Sequence, residues 1–260
     1  MARLACAGLV AALLMGGAAH GQTQGRAVRD FCADRPGKAT PACILDKGRL
    51  QLETGVVDAA LDQGPDAYLL GQTELRLGVT RRTELEAAWT PLSVERGSGV
   101  RRSGIGDLTL GFRSALTDPD GQGAAVSLQG FVTAPTATHG QGAGGWEGGA
   151  RLPVSVDFAH GFALGVTPEA DARRDADGRG AHLAYSGAVS ISHDLAGASV
   201  AVELWGERDD DPAGHVASAS FDVSAAWMVG QNLQLDVGAN AGLTHATPDL
   251  ELYVGVARRF

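Results

Sequence analysis

Nine carboxylates and two arginines fall on one phase of segments in which apolar and polar residues alternate. They are Glu53, Glu74, Arg76, Glu84, Glu86, Asp107, Arg113, Glu203, Glu207, Asp236 and Glu251. If that phase faces a common interior, acidic groups outnumber basic ones there. A watery interior of that sign favours cations or neutral polar solutes over anions. The same residues can instead neutralise one another as cross-strand ion pairs and fill a narrow interior with side chains. On this reading Glu53, Glu74, Arg76, Glu84, Glu86, Asp107, Arg113, Glu203 and Asp236 are the candidate lumen and selectivity residues. Glu74, Arg76, Asp107 and Arg113 are expected to form one central network.

Other chemically suggestive patterns carry less. Gly140-Gln-Gly142-Ala-Gly144-Gly145 fits a phosphate-cradling spacing, but no strand–helix unit surrounds it, so a surface loop is expected. Asp175-Ala-Asp177-Gly178 lacks the full calcium-loop spacing, and with Asp209-Asp210-Asp211 it reads as a solvated loop tip. Arg101-Arg102 and Arg173-Arg174 fall in expected outer loops, where they could meet lipopolysaccharide phosphates or simply be surface charge. The mature histidines, His139, His160, His182, His193, His215 and His245, lie at expected strand ends or loops. No Gly-x-Ser-x-Gly elbow accompanies them, so an enzyme is not expected.

The elements that must position the charges are strands. Period-two alternation marks twelve segments, as where Leu75 and Leu77 oppose Glu74 and Arg76, or Leu85, Ala87 and Trp89 oppose Glu84 and Glu86. The last segment runs to the final residue, with Leu250, Leu252, Val254, Val256 and Phe260 in one phase. A carboxy-terminal aromatic on such a strand suits a membrane boundary. Connections alternate in length. Short links are expected at 80–83, 117–123, 159–160, 194–197 and 230–231, and long ones around 64–65, 96–103, 135–146, 171–180, 209–214 and 245–249. Even strand number and alternating loops point to an all-β, transmembrane, antiparallel up-and-down β-barrel of about twelve strands.

The front of the chain agrees. Residues 1–21 carry Arg3, an apolar run and Ala19-His-Gly21, the pattern of a cleaved secretory signal. No segment reaches the ~20 unbroken apolar residues of a spanning helix, so only a barrel could cross a bilayer. Cys6 departs with the signal, leaving Cys32 and Cys43 as an expected disulfide of an oxidising compartment. No further Cys or His is spaced to make zinc ligands with them. The mature chain keeps 20 basic against 30 acidic residues once Arg3 is removed, which excludes nucleic acid as a natural partner. Residues 22–47 lack alternation and form a leader that either hangs in the periplasm or folds into the lumen as a stapled plug. Residues 48–260 form the barrel.

The chain also resembles the MetA-pathway of phenol degradation family of outer-membrane transporters. The resemblance rests on Asp34-Arg35-Pro36, Gln51-Leu52-Glu53 with Gly55, and Glu74-Leu75-Arg76-Leu77-Gly78. It continues through Gly104-x-Gly106-Asp107-Leu108 with Gly111, Glu203-Leu204-Trp205-Gly206, Asn232-Leu233-Gln234-Leu235-Asp236 with Gly242, and Arg259-Phe260. Ala137 and Arg258 depart from the pattern, standing for a glycine and an aromatic. The second departure would weaken the periplasmic aromatic girdle locally. The resemblance implies an outer-membrane location and passage of aromatic compounds. The expected function is a passive channel for small solutes, aromatic or hydrophobic ones among them. A closed structural barrel and a lipid-modifying enzyme are the alternatives. Expected partners are outer-membrane lipids, lipopolysaccharide and the barrel-assembly machinery, with no cofactor and no metal.

Overall fold

The computed structural model describes residues 28–260 apart from Ser98 and His139; the expected signal segment and the start of the expected leader lie outside the described residues. Alternate residues of an extended strand point to opposite faces, and the alternating segments form a single antiparallel sheet. Its strands are β1 (Leu50–Leu61), β2 (Asp66–Gly78), β3 (Thr83–Trp89 and Leu92–Gly97) and β4 (Val100–Gly104 and Leu108–Ala115). Then come β5 (Ala125–Ala134), β6 (Glu147–Arg151 and Val154–Asp157), β7 (Phe162–Arg174) and β8 (Ala181–Leu195). The last four are β9 (Ala198–Asp209), β10 (Val216–Met228), β11 (Leu233–Gly242) and β12 (Leu250–Arg259). Each strand pairs with the next, and β1 pairs with β12 (Gln51 opposite Arg259, Gly55 opposite Gly255), which closes a twelve-stranded barrel.

Three strands are interrupted, and proline explains two of the breaks. Pro91 divides β3 and Pro153 divides β6, because proline offers no N–H to the ladder. The gap in β4 at 105–107 lies beside the β3 break, where Gly106 N–H reaches Thr90 O at 2.8 Å.

Polarity is inverted relative to a water-soluble fold. Leu85, Leu110, Ile191 and Leu204 are about half exposed, whereas the Arg76, Glu84 and Arg113 side chains are fully buried. Charged residues are almost never buried unless paired. An apolar exterior around a charged interior is how a barrel meets lipid.

Connections at one end are turns: 79–82, 116–124, 158–161, 196–197 and 229–232. At 196–197 both Ala196 and Gly197 take positive φ (52° and 84°), the backbone a tight two-residue hairpin requires. The other end carries 135–146, 175–180, 210–215 and 243–249. Two expected long loops there are corrected. Residues 62–65 form a four-residue turn, and the upper parts of β3 and β4 stay paired as far as Gly97 and Val100. The strands simply run on beyond the point where their apolar face ends. Arg101 and Arg102 therefore sit on β4, and Arg173 and Arg174 end β7, rather than in loops. At the chain's end Phe260 donates its N–H to Leu50 O (2.7 Å), and the departing residue Arg258 lies over the Phe260 ring at 5.0 Å.

Candidate functional site

Residues 28–49 form no strand and run through the barrel interior. A segment without ladder partners must satisfy its backbone otherwise, and here the wall supplies the partners. Glu53 accepts from the N–H groups of Asp34 and Arg35 (2.9 and 3.0 Å). Glu203 accepts from Lys38 and Ala39 (2.7 and 2.8 Å), and Glu84 from Leu45 (2.7 Å). Wall donors reach the leader's carbonyls: Gln51 to Cys32, Arg113 to Pro41, Thr167 to Thr40 and Gln234 to Arg35, at 2.8 to 3.1 Å. A Cys32–Cys43 disulfide staples the segment, eleven residues apart. Closing so short a loop stabilises by roughly 3 kcal/mol in the chain-entropy model.

An ion cluster lies beneath. Arg76 bonds Glu84 (2.7 Å), Glu53 (3.0 Å) and Asp34 (3.1 Å). Arg113 forks onto both oxygens of Asp34 and also bonds Glu86 (3.0 Å). Burial opposes ionisation of Asp34, but Arg113 and Arg76 outweigh it and hold the carboxyl down at about 2. Bidentate guanidinium–carboxylate pairs fix direction as well as charge, so this cluster sets where the leader sits.

A second anchor is Arg35, paired with Asp236 (2.9 Å) and 5.7 Å from the Tyr253 ring centre. It occupies a notch made by Gly55 and Gly255. A Cβ on Gly255 would stand 2.3 Å from Arg35 Nε. Gly255→Val is therefore expected to dislodge Arg35 and expose the leader to protease added from the turn end. Wild-type resistance in that variant would show that Arg35 does not hold the segment. Lys38 completes the set, 3.1 Å from Glu251 and 5.5 Å from the Trp205 ring centre.

The leader separates two cavities. The outer one, about 510 Å³, is lined by Glu74, Glu86, Phe131, Arg151, Arg173 and Trp205 among others. The inner one, about 780 Å³, is walled by small polar residues such as Ser155, Ser190, Ser192 and Ser224, with Asp157 and Asp194.

The expected lumen residues thus divide by role. Glu53, Arg76, Glu84, Arg113, Glu203 and Asp236 bind the leader, and of these Glu53 also borders the outer cavity and Glu203 the inner one. Glu86 braces Arg113, accepts from Gln129 (2.6 Å) and borders the outer cavity, as does Glu74. Asp107 does not join them, which corrects the expected four-residue network. It sits in the β4 gap and accepts from Ala137 and Ala143 N–H (2.8 and 3.0 Å), holding loop 135–146. The glycine-rich motif serves that loop, since a Cβ on Gly142 would meet Asp107 Oδ2 at 2.2 Å. Phe131, Arg151 and Trp205 line the outer cavity without having been among the expected lumen residues. The signal for each lies in its place on the polar phase of its strand.

Similarity to known proteins agrees with this geometry. The COG4313 outer membrane channel from Pseudomonas putida F1 shares the fold, with a TM-score of 0.64 over 87% of this chain and 99% of that one, at 17% identity. The NanC porin aligns with a TM-score of 0.53 over 80% of this chain and 98% of that one, at 11% identity. Both are outer-membrane barrels. No curated protein sequence matches the chain. Residues 33–260 match the family described as "Putative MetA-pathway of phenol degradation", and the chain belongs to that family.

Proposed function

We propose that this chain is a passive outer-membrane channel for small solutes, with the stapled leader setting the width of the path. The observation that carries this is the pair of cavities, 510 and 780 Å³, meeting at one charged segment inside a closed barrel. Phe131 and Trp205 give the outer cavity aromatic faces among charged groups. That lining suits small aromatic solutes with polar substituents, in keeping with the family's description. The inner cavity is bordered by Asp30, Asp34, Asp157, Asp194 and Glu203 against Arg35, which favours cations among ions. Export through residues 1–21, recognition of Phe260 by the assembly machinery, and contact of Arg101 and Arg102 with lipopolysaccharide complete the reading.

Planar-bilayer conductance of the refolded mature chain tests it. Small discrete steps with a cation-directed reversal potential in a salt gradient are expected. Silence from demonstrably folded protein would favour a closed structural barrel, a reading supported by how many wall groups grip the leader. Lipid-directed catalysis has less behind it, since among the described residues no histidine hydrogen-bonds a serine.

A further inference from the structure

We infer that the outer rim carries a divalent-metal site formed by His182, Asp175 and Asp211, suited to zinc or a similar transition-metal ion. The two acidic loop motifs, unremarkable in sequence, converge on one imidazole. His182 opens β8, and its side chain is only 6% exposed. Its Nδ1 lies 2.9 Å from Asp175 Oδ1 and 3.6 Å from Asp211 Oδ2, and its Nε2 lies 2.9 Å from Asp209 Oδ1. That buried Nε2 makes no well-directed hydrogen bond.

A neutral imidazole offers one N–H and one lone pair. With carboxylates against both nitrogens, either the ring carries two protons or a cation stands between the lone pair and its oxygens. The second arrangement fits the surroundings. The donor atoms of His182, Asp175 and Asp211 all lie within 4.8 Å of one another. Asp209, oriented from behind by Arg173 (3.2 Å), stands 2.9 Å from Nε2 and is the carboxylate nearest to it. A metal-ligating histidine almost always gives its other ring N–H to such a partner. Asp211 is itself aimed by the N–H groups of Ala176 and Ala213 (2.7 and 2.6 Å). One nitrogen with two carboxylates suits zinc and its neighbours, whereas calcium and magnesium want oxygen alone. The ligands come from loop 175–180, the start of β8 and loop 210–215, so the ion would tie two outer loops together above Arg173 and Glu207, which line the outer cavity.

Calorimetric titration of chelator-treated, refolded protein in detergent with zinc chloride tests the site. One ion per chain is expected, with binding lost in His182→Ala and weakened about 10–100-fold in Asp209→Asn. His215→Ala should bind like the parent, although His215 lies 3.2 Å from Asp210 on the exposed surface nearby. Folding of each variant is checked by heat-dependent gel mobility. If His182→Ala fails to fold, Asp175→Asn and Asp211→Asn replace it with the same expected loss. Absence of stoichiometric zinc binding, or binding that survives these changes and vanishes in His215→Ala, overturns the assignment and leaves a protonated-histidine clasp.

Discussion

Arg76→Ala is expected to lower the stability of the refolded barrel by about 3–5 kcal/mol, the cost of stranding buried partners. The guanidinium has no solvent access and neutralises Glu53 and Glu84, themselves almost wholly buried. Removing it leaves two carboxylates facing each other across β1 and β3 with a leader carboxylate, Asp34, beside them. It also removes a donor to the Cys32 carbonyl (3.2 Å), so the leader loses a tether when the wall loses its counterion. Equilibrium unfolding in urea, followed by heat-dependent gel mobility, reads the change. Arg76→Lys should recover part of it, because charge returns without the fork that binds Glu84 through two nitrogens. A parent-like midpoint for Arg76→Ala would mean that the cluster is dispensable to folding.

Deleting residues 22–45 is expected to raise single-channel conductance several-fold while the barrel still folds. Residues 30–43 of that segment lie between the two cavities, and their removal joins them into one path. Folding should survive because the wall arginines retain wall partners. Arg76 keeps Glu53 and Glu84, and Arg113 keeps Glu86. The exposed wall carboxylates should also steepen cation preference, since Glu53, Glu84 and Glu203 lose the backbone N–H groups they now accept from. Conductance equal to the parent's would place the narrowest point elsewhere. Combined with Arg76→Ala, the deletion separates two contributions: whatever destabilisation remains belongs to the wall alone.

Much of the architecture was legible because each strand states its own alternation locally. Leu75, Leu77 and Arg76 reveal their faces without reference to any neighbour. The closing strand does the same up to Phe260. The leader could not be placed this way, since its conformation is set by wall groups up to about two hundred residues distant, such as Asp236 for Arg35 and Glu251 for Lys38. Assigning charge to the lumen was sound for Glu53 or Arg113, but their partners lay in a segment without periodicity. Asp107 misled because alternation counts residues through the β4 gap, where the backbone no longer obeys period two. His182 was passed over for a related reason. Its three carboxylate neighbours come from two separate loops and the end of β9, and only the hairpin geometry brings them together.

The glycine notch has a consequence for how the molecule is made. Gly55 and Gly255 belong to the first and last strands, so the recess that receives Arg35 exists only once those two edges have met. A slip of one residue would turn over one strand's side chains, presenting Thr54 or Val56, or Val254 or Val256, where the guanidinium now lies. The leader therefore finds its seat only where the two edges have met in the correct alignment. Seating of Arg35 thus requires a barrel joined in register, not one that is merely shut.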